Sequence, residues 1–183
     1  MDNYIDIQIQ PDAEMRENVL MNKVYTKLHK ALFDLKSTSI GISFPEYKVL
    51  LGHKIRLHGN PSMLNDLQGL NWLGGLSGYC QLSEILPVPQ NAQYRVISRK
   101  QSTMTNAKLN RLIKRGTISK ENIKAYKAKM FTKGLDNPYF ELDSTSNEQL
   151  HRRYIQFSEV LSEPVKGEFD HFGLSKTATV PWF

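Results

Sequence analysis

The first clear pattern in the chain is Tyr4-Ile-Asp-Ile-Gln-Ile-Gln10, where apolar and polar positions alternate and Ile5, Ile7 and Ile9 fall on one face of a half-buried strand. Pro11 and Asp12 end it. From about Arg16 to Lys36 the apolar period lengthens, and Leu20, Val24, Leu28, Ala31 and Leu35 share one stripe, which predicts a long helix covering a sheet. Ile40 to Phe44 and Lys54 to His58 read as two further strands. Asn60-Pro61 opens a second helix with Met63, Leu64, Leu67 and Leu70 on its apolar face, and Gly74-Gly75 punctuates it before a fourth strand from Tyr79 to Ile85. The predicted order is β-α-β-β-α-β. With both helices on one face of an antiparallel sheet this is the ferredoxin-like arrangement, which serves RNA-binding modules and many unrelated proteins.

Pro87-Val-Pro-Gln-Asn91 has the composition of a linker. The expected organisation is therefore α+β, with a ferredoxin-like βαββαβ domain over residues 1–90 and a smaller mixed α/β domain over residues 91–183. In the second part, Leu109, Leu112 and Ile113 recur at three- and four-residue spacing and predict a short amphipathic helix from Thr105 to Arg115, stopped by Gly116. Ile118 and Ile123 bracket Ser119 as a staple around an N-cap and start another helix that should bury Ile123, Tyr126 and Met130. Strands are expected to resume at Tyr139 to Leu142, then at Arg153 to Phe157 and Thr179 to Phe183, which are rich in aromatic and β-branched residues.

Charge changes this picture in one region. From Arg95 to Lys133 there are twelve Lys or Arg, half of the chain's 24, against the single acid Glu121. A solvated helix face usually mixes signs, because opposite charges four apart support the helix and like charges oppose it. Lys108, Arg111 and Arg115 fall opposite the apolar side of the basic helix without such counter-charges, so the row implies a polyanion, and an RNA is the expected partner. Just upstream stand Arg99 and Gln101, residue types that pair two-fold with guanine and adenine edges.

Composition adds bounds. The chain has 183 residues, 40% of them hydrophobic, and a net charge of +6, enough apolar material for a packed core. Its single cysteine, Cys80, excludes an internal disulfide and a cysteine-rich zinc site. There is no basic start followed by an apolar run, and no stretch of roughly eighteen apolar residues, so a soluble, cytoplasmic protein without a membrane role is expected. His29 lies at the edge of the first helix's apolar stripe, beside Tyr25 and Phe33, where a partly covered imidazole could titrate near neutrality. His53 and His58 lack neighbouring ligands at metal spacing. Ser144-Thr-Ser146 reads as a turn after a strand, of the kind that usually hydrogen-bonds its own backbone. No glycine-rich phosphate loop, nucleophile elbow or carboxylate pair appears. On the residues alone, the reading is an RNA-binding protein.

The ending Phe172-Gly-Leu-Ser-Lys-Thr-Ala-Thr-Val-Pro-Trp-Phe183 goes further, because it resembles the C-terminus of the subtype I-F (Ypest) CRISPR repeat-processing endoribonucleases. Tyr4-Ile-Asp-Ile7, Lys27 to Leu32, Ile40 to Pro45 and Ser98-Arg-Lys-Gln101 resemble segments of the same family in the same order, so the resemblance covers essentially the whole chain. It implies a catalytic histidine at His29, a ribose-orienting serine at Ser144 with Ser146 beside it, base-edge contacts from Arg99 and Gln101, and backbone contacts from Arg111 and Arg115, in the row that Lys108 extends. It also implies cleavage of CRISPR precursor RNA at the base of the repeat hairpin by attack of the substrate's own 2′-hydroxyl, with no metal or other cofactor, and association with other subunits of a CRISPR surveillance complex. Two positions depart from the family: Phe172, where a tyrosine is common, and His151, where an aromatic residue can stack at the stem base. The competing expectation is a hairpin-binding protein without catalysis.

Overall fold

A computed structural model describes residues 1–101, 104–132, 136–143 and 150–183. Two antiparallel sheets carry the chain, with helices packed beside them. Strand β1 (Asn3–Ile9) shows the predicted alternation, with Ile5, Ile7 and Ile9 all buried. Helix α1 (Glu17–Asp34) buries Leu20, Met21, Val24, Tyr25, Leu28, Ala31 and Leu32, a broader stripe than expected, while Leu35 just beyond it is only half-buried. Strands β2 (Gly41–Ser43) and β3 (Lys54–Gly59) follow, then α2 (Pro61–Gly69). Asn60 caps α2 by accepting the Met63 N–H at 2.8 Å, and Pro61 occupies the first turn, where its missing N–H costs nothing. A 3₁₀ turn over Gly74–Tyr79 leads into β4 (Cys80–Leu82).

The first sheet runs β2-β3-β1-β4, every neighbouring pair antiparallel. The single fourth strand expected over Tyr79 to Ile85 is instead two pieces. β4 pairs with one end of β1 and β5 (Leu86–Pro87) with the other, Leu82 opposite Ile7 and Leu86 opposite Tyr4. Between them three residues stand against two on β1, and Ser83 fills the break by accepting the Asp6 N–H on its hydroxyl and donating its own N–H to the Asp6 carbonyl, each at 2.9 Å. Pro87, read above as the start of a linker, is therefore still paired to the first sheet, opposite Asn3.

The second sheet runs β7-β8-β6-β9, again all antiparallel. Its strand β6 (Gln93–Lys100) lies in the basic stretch, where no strand was expected; Ile97 is its buried residue. Helix α3 (Asn106–Lys114) is capped by Thr105, whose hydroxyl accepts the Lys108 N–H. Gly116 ends it at φ 65, with the Gly116 and Thr117 N–H groups closing on Ile113 and Leu112 carbonyls. Only Leu109 of its apolar side is buried and Ile113 is exposed, so α3 is held by a narrow seam. Helix α4 (Lys120–Thr132) begins after Ser119, which accepts the Asn122 N–H. Its expected core residues Ile123, Tyr126 and Met130 are half-buried. Strands β7 (Tyr139–Asp143), β8 (Leu150–Leu161) and β9 (Val180–Trp182) complete the sheet; β8 is far longer than the Arg153 to Phe157 stretch expected.

One hydrophobic core joins both sheets: Ile97, Phe140, Ile155, Phe169, Leu174 and Val180 belong to the same cluster as the isoleucines of β1 and the stripe of α1. The join is close. A Cβ on Gly41 would fall 2.6 Å from Val180 and 2.7 Å from Phe169, so only glycine lets β2 approach the C-terminal segment this nearly. The chain end is fixed by Arg56, which makes two bonds to the Asp6 carboxylate at 2.6 and 2.9 Å, donates to the Phe183 oxygen at 2.9 Å and lies over the Phe183 ring at 3.9 Å. That geometry is a planar fork with a stacked face, for which lysine could not substitute.

Candidate active site

The site forms where α1 meets the turn before the C-terminal strand. Asp170 builds that turn, its Oδ1 accepting the N–H groups of Phe172 and Leu174 at 2.9 and 3.0 Å. Gly173 completes it at φ 69, with the Ile42 N–H donating to the Gly173 carbonyl at 3.0 Å. A side chain there would be strained twice, since its Cβ would also stand 2.6 Å from Ile42. The turn is thereby locked against the free edge of β2, and it presents the carbonyls of His171 and Phe172 to α1.

Tyr25 and His29, one helical turn apart, meet those two carbonyls. The Tyr25 hydroxyl donates to the Phe172 carbonyl at 3.1 Å, and the Tyr25 ring stacks on Phe140 of β7 at 3.7 Å with planes 7° apart. Burial pushes the Tyr25 phenol far above its ordinary range, so it remains a donor. His29 Nδ1 lies 2.9 Å from the His171 carbonyl oxygen. A carbonyl only accepts, so Nδ1 carries the hydrogen and the neutral ring keeps its lone pair on Nε2. Burial lowers the His29 pKa below the ordinary histidine value; the bond to the His171 carbonyl raises it, the charges of Arg153 and His171 lower it, and Asp170 raises it. The net direction favours the neutral ring at physiological pH. The His29 ring is clamped by Phe172, their centroids 3.6 Å apart and their planes within 8°.

Next to this stack Arg99 and Gln101, at the end of β6, line a cleft of about 520 Å³ together with Arg153, Asp170 and Ser175. Lys108, Arg111 and Arg115 come together on one side of α3 around a small depression. Among the described residues no carboxylate pairs with Arg111 or Arg115. His151 is the second residue of β8, opposite Leu142. Ser144 and Ser146 lie outside the described residues. The other histidines are engaged structurally: His58 is buried on Ser43 at 2.8 Å, and His53 pairs with Glu17 at 3.2 Å. Among the described residues no group of three or more His, Cys, Asp or Glu side chains could hold a metal ion, and no helix is long and apolar enough to cross a membrane.

Sequence reasoning missed Tyr25, His171 and Arg153 as parts of the site. A signal existed for Arg153: strand alternation sets it on the same face as Ile155 and Phe157, so a cation stands on an inward-facing strand position.

Comparison with known proteins agrees in extent with the sequence resemblance. The family model for CRISPR-associated protein (Cas_Csy4) matches residues 4–183. The CRISPR-associated endonuclease Cas6/Csy4 of Escherichia coli (strain UTI89 / UPEC) is 39% identical over 184 residues, covering 100% of both chains. That of Pseudomonas aeruginosa (strain UCBPP-PA14) is 35% identical over 187 residues, again covering 100% of both. A solved structure of the CRISPR endoribonuclease Cse3 bound to 19 nt RNA aligns with 99% of this chain and 100% of its own, at 13% identity and a TM-score of 0.35, too loose a superposition to argue from. With a family model matching from β1 to the last residue, and two relatives above 30% identity over their full lengths, the chain belongs to the Cas_Csy4 family of CRISPR-associated proteins.

Proposed function

We propose that this protein is an endoribonuclease that cuts CRISPR precursor RNA at the base of the repeat hairpin without a metal ion, with His29 as the general base. The observation that carries the reading is the Nδ1 contact to the His171 carbonyl, which leaves a lone pair on His29 Nε2 in a ring already inclined to be neutral. Nε2 takes the proton of the substrate's 2′-hydroxyl, the freed oxygen attacks the adjacent phosphorus, and the bond to the 5′-oxygen breaks. The products are a 2′,3′-cyclic phosphate and a 5′-hydroxyl, the leaving oxygen taking up a proton. A positioned base of this kind contributes ~10²–10⁴-fold.

Ser144 orients the attacking ribose in this reading, with Ser146 beside it. In support, β7, which ends at Asp143, packs against α1 through Phe140 stacked on Tyr25, one helical turn from His29. Arg99 and Gln101 read base edges in the cleft, His151 stacks at the stem base, and Lys108, Arg111 and Arg115 grip the hairpin backbone. The strand order β2-β3-β1-β4 supports a ferredoxin-like N-terminal unit over residues 1–90, with residues 91–183 forming the unit that grips RNA. Work in the cytoplasm within a larger surveillance complex belongs to the same reading.

The test is incubation of the protein with hairpin repeat RNA in excess chelator, with a second RNA bearing one 2′-deoxyribose just upstream of the scissile phosphate. Cleavage of the first alone, with the end groups named above, is expected, and both RNAs should bind. Cleavage of the deoxy RNA, or a strict need for magnesium, overturns the mechanism; tight binding with no cleavage of either leaves a hairpin-binding protein.

A further inference from the structure

Arg153 is a cation the mechanism above does not employ, and it sits against the reacting histidine's own support. Its guanidinium carbon lies 3.4 Å from the Phe172 ring centroid, and His29 stacks 3.6 Å from that same centroid. Two groups directly over one ring at these distances must occupy opposite faces, so the order is His29, Phe172, Arg153. The guanidinium also lines the cleft that Arg99 and Gln101 share. It spans the two halves of the site.

Its polar groups are short of partners. Among the described residues no acceptor bonds to Arg153, and its Nε is buried without a partner. Burial lowers its pKa, as does the charge of Arg99, while Tyr25 and Asp170 act in the opposite sense. Asp170, the carboxylate whose charge acts on it, already spends Oδ1 on the Phe172 and Leu174 N–H groups, and Glu168, which lines the same cleft, makes no ion pair with it. A buried charged donor left unbonded is costlier than a neutral one. With one face of the guanidinium covered by Phe172 and its Nε buried, the donors left for the cleft are those of its two terminal nitrogens, a pair that fits a phosphate two-fold.

We propose that Arg153 binds a phosphate of the RNA strand that passes from the Arg99–Gln101 cleft to His29, and so seats the reacting nucleotide against the Phe172–His29 stack. This rests on the endoribonuclease reading. An anion is favoured over a base edge because Arg99 and Arg153 repel each other in one cleft, and only a charged ligand relieves both. Arg153 is thus a substrate-contacting residue, and through Phe172 it also positions the base. The charged or titratable groups facing that stack are Tyr25 from α1, Arg153 from β8, Arg99 from β6, and Asp170 and His171 from the turn.

The test compares wild type with Arg153→Met, which keeps length and removes charge, and Arg153→Lys, which keeps charge and removes the fork. Binding is titrated across ionic strength with the uncleavable 2′-deoxy hairpin, and single-turnover cleavage is followed against pH with the ribose hairpin, alongside melting temperatures. For Arg153→Met the slope of log affinity against log salt should shrink by about 0.7–0.9, the loss of one phosphate contact. Its saturated cleavage rate should fall at least about tenfold, and the midpoint of its pH profile should rise, since a cation that disfavours charged His29 is gone. Arg153→Lys should keep the salt slope and still cleave slowly. A salt slope identical to wild type in Arg153→Met overturns the proposal, whether base-pair preference changes or only the melting temperature does. If wild type binds but does not cleave, the endoribonuclease reading fails while the slope on the deoxy hairpin still reports on Arg153.

Discussion

His29 and Phe172 lie ring on ring, 3.6 Å apart at their centroids, and the residue before Phe172 supplies the carbonyl that fixes which nitrogen of His29 holds the hydrogen. One turn of chain therefore sets both the plane and the tautomer of the histidine.

If the stack orients the base, its loss should be felt in rate more than in affinity. Phe172→Tyr retains the ring, and its single-turnover rate should stay within about threefold of wild type. Phe172→Leu gives up an aromatic contact worth about 0.5–1.5 kcal/mol, and its rate should drop about 3–10-fold with hairpin affinity unchanged. Equal rates for Phe172→Leu and wild type would remove the stack from the mechanism.

The turn that carries the stack is constrained by Gly173. Gly173→Ala combines a φ of 69 with a Cβ 2.6 Å from Ile42, so it should destabilise the fold by about 1–3 kcal/mol and shift the turn away from α1. Melting temperature and cleavage per folded molecule should both decline; a variant that melts and cleaves like wild type would show that the turn is not locked.

The RNA contacts divide by type. Arg111→Ala and Arg115→Ala each remove a backbone cation, which should weaken binding to every hairpin and shrink the salt slope by about 0.7–0.9. Arg99→Ala should instead narrow the preference between matched and base-pair-swapped hairpins by roughly 1–3 kcal/mol. Titrations of the three variants against both hairpins separate the roles, and salt slopes equal to wild type in both α3 variants would take that helix off the RNA backbone.

Much of this was legible in the chain, and the parts that were not have physical reasons. Periodicity located β1, α1 and α3, and Asn60-Pro61 and Gly116 marked helix ends, because those signals are local. β6 escaped because Arg95 and Arg99 stand two residues to either side of Ile97 and leave it as the buried residue, so no apolar alternation marks the strand. The break between β4 and β5 depends on Ser83 bonding Asp6, 77 residues away, which no pattern near Ser83 reveals. In the site, His29 stood out at the edge of the first helix's stripe, and its catalytic role and the interest of Phe172 came from the family resemblance, but their stacking and the His171 carbonyl arise from packing α1 on a turn 142 residues later. Arg153 looked like one more cation in a basic chain until its neighbours were known.

The account stands or falls on His29 as the base. The most direct measurement is the single-turnover cleavage rate of saturating hairpin RNA by wild type and His29→Ala across pH, with hairpin affinity and melting temperature measured in parallel. The wild-type rate should climb with pH as the imidazole loses its proton, with a midpoint below the ordinary histidine value of about 6.5, because burial favours the neutral ring. His29→Ala should bind like wild type and remain folded, with a lower melting temperature for the lost stack and hydrogen bond, yet lose at least about 10²-fold in rate together with that pH dependence. A folded His29→Ala protein that cleaves at the wild-type rate would contradict the account.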